Sequence, residues 1–275
     1  MKKKHFKVIA LTIAILLIIG LGIFANALLG NPISKKIATN TAQKHLAETY
    51  ADTDYYMERI TYSFKDGKYH AFINSPTSID TSFSLTITML GELRLDTYED
   101  VVNGFNTARR VDSDYRELTD SIFENPSFPY SCRISYGTLE IYPAEAFTDS
   151  ERNDIPTYAI NQTELELDKI YDIRELGKQS GHLIIYVEND TVTMEIATEI
   201  ILDIKAIFDD AGIPFKALDF TLQYPRPEEG KRSEGKVSIS DFPYEEIYEE
   251  GMLERVQEAD KVLKAYYESQ DLKDK

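Results

Sequence analysis

The chain has no tryptophan, one cysteine (Cys132) and only four histidines in 275 residues. A single cysteine excludes an intrachain disulfide and a thiolate metal site. Strand alternation from Tyr130 to Tyr136 puts Cys132 on the face of Tyr130, Ile134 and Tyr136, where a free cysteine acts as a small hydrophobe. Its place far downstream also excludes a lipid anchor on an N-terminal cysteine. His5, His45, His70 and His182 fall on separate elements, so no two stand at ligand spacing. The chain lacks GxSxG, HExxH, Walker A and any GxGxxG that opens a helix after a strand. No catalytic, cofactor-binding or metal residue is therefore assigned. Positive charge is scarce as well, with 30 Lys and Arg against 47 Asp and Glu and a net charge of −17. Such a surface repels phosphate backbones and excludes nucleic acid as a partner. By the same argument it should be poorly attracted to anionic lipid. The excess is compatible with loose cation binding, but bare charge speaks first to solubility.

Charge is absent altogether from Val8 to Leu29, a run interrupted only by Thr12 and Asn26 and preceded by Lys2, Lys3, Lys4 and Lys7. At helical rise it reaches ~30 Å, the thickness of a bilayer's hydrocarbon core. Ala25-Asn26-Ala27 offers the small-x-small pattern of a cleaved signal, yet the run exceeds the ~7–15 apolar residues usual for one. Cutting after Ala27 would also leave Leu28-Leu29-Gly30 as the new start. The reading is a cytoplasmic stub over residues 1–7, an uncleaved transmembrane anchor over 8–29 and, from the lysine asymmetry, an extracellular body.

Asn31-Pro32 then reads as an N-cap with proline in the first turn, opening a helix with Ala38, Ala42, Leu46 and Tyr50 on one face. Three strands follow. Ile60, Tyr62 and Phe64 alternate in the first, Asp66-Gly67 signals a two-residue type I′ hairpin, and the second runs from Tyr69 to Ile73. Phe83, Leu85 and Ile87 alternate in the third. A polar helix from Val102 to Phe123, with Phe105, Ala108, Tyr115, Leu118 and Ile122 inward, completes a first α+β domain over 30–125, bounded at Asn125-Pro126-Ser127. The second domain, 126–275, begins with a hairpin, Tyr130–Tyr136 and Leu139–Tyr142, turning at Gly137. Then come a long loop from Pro143 to Gln162, a short helix from Leu167 to Leu176 and a strand over His182–Glu188. A helix over Met194–Ala211 carries Ala197, Ile200, Ile201, Ile204, Ile207 and Phe208. Strands at Phe215–Gln223 and Lys236–Ser240 flank a loop from Pro225 to Gly235. A last helix presents Leu253, Val256, Ala259, Leu263 and Tyr266. Helices beside runs of strands indicate the α+β class, here two small helix-plus-antiparallel-sheet domains after a transmembrane helix. A shared helix, acidic link and strand-pair rhythm suggests duplication.

Three groupings are weighed as sites. Glu245, Glu246, Glu249 and Glu250 read as charge favoured at the start of the last helix, with Glu258–Lys261 and Asp260–Lys264 as surface pairs along it. The 18 tyrosines suit half-buried sheet faces and leave room for a peptide or glycan groove. The stretch Ser75-Pro76-Thr77-Ser78-Ile79-Asp80-Thr81 crowds four hydroxyls and a carboxylate, as a self-bonded turn does.

Gly30-Asn31-Pro32, Tyr62-Ser63-Phe64-Lys65-Asp66-Gly67-Lys68-Tyr69, Ser75 to Phe83, Tyr98-Glu99-Asp100 and Gly104-Phe105-Asn106-Thr107 resemble the YfjL-like proteins, membrane-anchored proteins of Firmicutes with no attached chemistry. The resemblance is clearest over Gly30–Leu118 and fainter over Gly181–Glu250. It implies a cell-surface location and a two-domain ectodomain. The first domain is similar to the small modules of the PepSY or cystatin-like kind. The expectation is a single-pass module that binds or regulates an envelope protein or peptide without catalysis. The alternative is a carboxylate-dependent enzyme acting on a wall glycan or peptide.

Overall fold

The computed structural model describes residues 2–149, 155–225 and 235–273. The leader forms helix α1 (Lys2–Leu29). Its apolar window has a mean hydropathy of 2.5, and none of it is buried inside the protein. That sets it apart from a core helix and fits a membrane anchor or a signal sequence. The rest divides into two compact units between Asn106 and Thr107.

In the first unit, α2 (Pro32–Thr49) starts where Asn31 Oδ1 accepts the Ser34 amide at 2.8 Å. Ala38 and Ala42 are fully buried on its inner face, with Leu46 and Tyr50 at the margin of that core. Four strands, β1 (Tyr56–Ser63), β2 (Lys68–Asn74), β3 (Ser82–Thr88) and β4 (Leu93–Asp96), form an antiparallel sheet in chain order. Strand β4 escaped the sequence pattern because four residues, two of them exposed, show no period. The Asp66-Gly67 turn is longer than expected. Ser63 pairs with Lys68, so residues 64–67 form a four-residue loop closed by Gly67 at φ 67°. Phe64 lies past the strand and is exposed. The helix expected from Val102 is two, α3 (Glu99–Val102) and α4 (Phe105–Phe123), separated at Gly104, whose φ is 82°. Helix α4 packs in the second core through Ala108, Val111 and Tyr115. The expected boundary after Asn125 had grouped it with the first body.

The second unit holds β5 (Cys132–Leu139), a two-strand parallel pair β6 (Ile141–Tyr142) and β7 (Ile160–Asn161), short α5 (Ala144–Thr148), α6 (Ile173–Ser180), β8 (Gly181–Glu188), α7 (Met194–Asp210), β9 (Ala217–Gln223), β10 (Lys236–Pro243) and α8 (Met252–Lys273). The sheet order is β10-β9-β8-β5. It is mixed rather than antiparallel, since β8 and β9 run parallel. The 17-residue α7 between them is long enough for the crossover that parallel neighbours require. The duplication reading therefore stops at the antiparallel β9–β10 pair.

Gly137 is not a turn. It sits inside β5, opposite Leu183, where an added Cβ would lie 2.5 Å from Thr119 Cγ2. The expected turn lies inside a strand that continues to Leu139, and the glycine serves close helix–sheet packing. Gly177 and Gly181 make the same room for the fully buried Tyr115 ring, whose hydroxyl donates to Pro214 O at 2.9 Å. Helix α6 accordingly runs through Gly177, starting at the Asp172 cap rather than at Leu167. A register shift between Cys132 and Ile134 reverses the alternation. Cys132 packs on the core while Ile134 is exposed, so the two do not share a face. Burial pushes the Cys132 thiol up to about 11.

Both edges of this sheet are closed from helices. On β5, the Gly137 amide donates to Thr119 Oγ1 at 2.9 Å and the Leu139 amide to Asp112 Oδ1 at 2.7 Å. On β10, the Ser238 amide donates to Asp260 Oδ1 at 2.9 Å. Asp260 is thus a buried edge cap as well as the partner of Lys264. The expected loop over 143–162 contains α5 and β7, with residues 150–154 outside the described residues. Of the loop from Pro225 to Gly235, residues 226–234 lie outside them too.

Candidate functional site

The most concentrated chemistry in the second body surrounds His182, the first outward-facing residue of β8. Its Nδ1 lies 2.6 Å from Glu140 Oε1, and its Nε2 lies 3.1 Å from Asp219 Oδ1 on β9. Glu140 also accepts from the Tyr142 hydroxyl at 2.8 Å. Asp219 accepts from Ser240 Oγ at 2.8 Å and from the Asp241 amide at 2.7 Å. Asp241 in turn receives the Tyr158 hydroxyl and holds φ at 51°, a left-handed conformation costly for a side chain. Burial acts to lower the His182 pKa, but the bonds to Asp219 and Glu140 outweigh it and raise it to about 9. Burial would raise Asp219, yet His182 and its other donors hold it below the usual carboxylate range. An imidazolium donating through both nitrogens has no lone pair for a proton or a metal. The cluster can fix strand ends and present negative charge to a shallow 330 Å³ pocket bounded by Glu140, His182 and Asp241.

Beside it, a 510 Å³ groove runs between the end of β10 and α8. Phe242, Val262, Leu263 and Tyr266 form its floor and wall, with Asp241, Glu246 and Glu258 around them. The Arg255 guanidinium at the groove is committed to the Glu246, Tyr248 and Glu250 carbonyls.

The remaining candidates separate. His45 bonds Asp96 at 2.7 Å and His70 bonds Asp66 at 3.2 Å, both in the first body, whereas His182 belongs to the second. Among the described residues no three His, Cys, Asp or Glu side chains group to hold a metal ion. Glu245 and Glu246 lie in a 3₁₀ turn ahead of α8 rather than in its first turn, and Glu245 pairs with Lys216 at 2.6 Å. The Ser75–Thr81 loop is self-bonded, with the Thr81 amide donating to Ser78 Oγ at 2.9 Å. A carboxylate from outside the stretch ties it as well. Asp54 accepts from Ser75 Oγ at 2.7 Å and from Thr77 Oγ1, and these bonds hold its pKa down. Tyr50, Tyr55, Tyr98 and Phe83 stack on one another, with Tyr50 and Tyr98 at 4.9 Å between centroids, so these tyrosines fill a core margin.

A junction that no motif search targets lies where α1 meets the first body. Tyr69 Oη donates to Asn31 O at 3.0 Å and accepts from the Asn31 amide at 3.1 Å. Tyr62 Oη donates to Ala27 O at 3.1 Å, and Asn31 Nδ2 donates to Asn26 Oδ1 at 2.8 Å. Gly30 permits this closeness, since at φ 70° a Cβ would sit 2.6 Å from the Tyr69 hydroxyl.

One apolar N-terminal helix followed by two helix-on-sheet bodies of different topology defines the class. Residues 3–97 match the YfjL-like N-terminal domain and residues 114–257 match the YfjL-like C-terminal domain. The chain belongs to the YfjL-like family. No curated protein matches it, and neither does any solved structure.

Proposed function

We infer that this protein is a single-pass membrane module, N-terminus in the cytoplasm, whose extracellular bodies bind an envelope protein or peptide without catalysis. The groove between β10 and α8 carries the reading. Its apolar floor of Phe242, Leu263 and Tyr266 is bordered by three carboxylates, while Arg255 is spent on backbone carbonyls. That combination favours an apolar segment bearing lysine or arginine. The convergent carboxylates Glu140 and Asp219 are both engaged by one imidazolium, which supports binding over acid–base catalysis. An uncleaved anchor is supported by the junction, because Asn26 and Ala27 are bonded into the first body. The PepSY- or cystatin-like likeness of that body, a helix on an antiparallel meander, belongs to the same proposal.

The test is titration of the full-length protein, in detergent, with synthetic peptides alternating leucine with lysine or leucine with glutamate. The lysine peptide should bind at least about tenfold more tightly, a difference of ~1.4 kcal/mol, and Leu263→Asp should abolish the preference. Equal affinities, or a preference indifferent to Leu263→Asp, would remove the groove from the reading.

A further inference from the structure

The end of the first body that meets α1 combines exposed apolar side chains with lysines. Register places both hairpin tips there. Ser63 pairs with Lys68 and Lys68 with Thr88, so the β1–β2 and β3–β4 turns leave the sheet on the side where Tyr69 grips Asn31. Phe64 on the first tip is 62% exposed, and Leu90 on the second is 90% exposed. Leu29 at the end of α1 and Ile33 in the first turn of α2 are 79% and 74% exposed. The second tip lies against α2, where Thr41 donates to Gly91 O at 3.0 Å. The first tip lies beside the anchor. The Tyr62 hydroxyl that reaches Ala27 O also stands 4.0 Å from the Cβ position of Gly67. The turn that carries Phe64 therefore comes close to residues that belong to the apolar run itself.

Charge at this end opposes that of the whole chain. Lys35, Lys36 and Lys65 are exposed, and Lys68 stands at the start of β2. The neighbouring acids are occupied, Asp66 by His70 at 3.2 Å and Glu92 by Arg94 at 2.7 Å. A 520 Å³ recess beside Leu28, Lys35 and Tyr62 opens at the same place. Exposed apolar side chains among lysines are the composition of a surface that lies in a bilayer interface.

The geometry points to this end of the first body as a lipid-docking rim. Phe64, Leu90, Leu29 and Ile33 enter the outer leaflet of the membrane that holds α1, and Lys35, Lys36 and Lys65 meet anionic headgroups. The inference rests on α1 being a retained anchor. It departs from the expectation drawn from net charge, which averages an acidic body over a basic rim.

The test uses the full chain, in a Cys132→Ser background, reconstituted into vesicles of phosphatidylglycerol and phosphatidylethanolamine. A fluorophore is attached in turn to Leu17→Cys in the anchor, Phe64→Cys and Leu90→Cys on the rim, and Thr53→Cys at the opposite end of the first body. Lipids carrying nitroxide near the headgroup should quench the two rim probes by roughly twofold or more over Thr53→Cys, as interfacial burial requires. Replacing phosphatidylglycerol with phosphatidylcholine should reduce rim quenching and leave Leu17→Cys quenched by deep nitroxide. Rim probes no more quenched than Thr53→Cys, with Leu17→Cys still quenched, would overturn the docking rim alone. An unquenched Leu17→Cys would overturn the anchor and the rim together.

Discussion

The two bodies solve the same problem, a sheet with a helix laid on it, at different levels of completeness. Among the described residues the second buries 26 apolar side chains in one core, and both outer strands donate to helix side chains. The first buries nine, and on β2 only Tyr69, Ala71 and Ile73 face that core. Its other sheet face carries Phe72 under the Arg59 guanidinium at 4.5 Å, with His70 and Thr86 bonded to each other across strands. A small core leaves little margin. The second body is closed on itself, and the first leans on what it is attached to.

The sharpest way to break this contrast is through the larger core. Phe220→Ala removes a fully buried ring from β9 and should cost about 3–5 kcal/mol. Hydrogen exchange should then show lost protection in β8, β9 and β10 with β2 and β3 unchanged. Simultaneous loss in both sheets would mean that they unfold as one.

Next comes pH. The His182 pKa rises from 6.5 unfolded to about 9 folded. Its contribution is therefore complete below pH 6.5 and is lost as pH climbs through 9, amounting to at most about 3 kcal/mol. Denaturant titrations resolved by body should show the second weakening over that window, and His182→Gln should flatten the slope. An unchanged slope in His182→Gln would assign it to another group.

A smaller effect tests the closed edge. Asp260→Ala strands the Ser238 amide of β10, at a cost of ~1–3 kcal/mol, and uncovers an edge able to pair with another chain. Sedimentation should show association that rises with concentration. A monomer of unaltered stability would show that the cap is dispensable.

How much of this was legible in advance follows from range. Ala38 with Ala42, the stripe of α7 except Ile207, and the α+β class are written in local periodicity, and the structure keeps them. The His182 cluster was not, because Glu140 meets His182 through the antiparallel β5–β8 pairing and Asp219 joins them through the parallel β8–β9 pairing. Gly137 misled because a glycine that admits Tyr115 and Thr119 looks locally like one that makes a turn. The bulge after Cys132 inverted a face for the same reason, one extra residue being invisible to alternation. Asp260 read as a surface charge because the strand it caps lies 22 residues away in sequence. Tyr62 and Tyr69, read as strand residues and as part of the family resemblance, turned out to hold the junction.

That junction supplies the last and smallest prediction. The Tyr69 hydroxyl joins both backbone groups of Asn31 to β2, and Asn31 caps α2. Tyr69→Phe keeps the fully buried ring and removes only those bonds, so the first body should lose about 1 kcal/mol while the second is unaffected. Limited proteolysis of the full-length protein in vesicles should show faster cutting near Gly30–Pro32. If both stability and cutting rate stay at the wild-type value, the anchor is merely appended to the first body, and that body's nine-residue core suffices alone. If they change as expected, the segment from Asn26 to Asn31 is part of the fold, and removing the leader after Ala27 would unpick the domain it delivers.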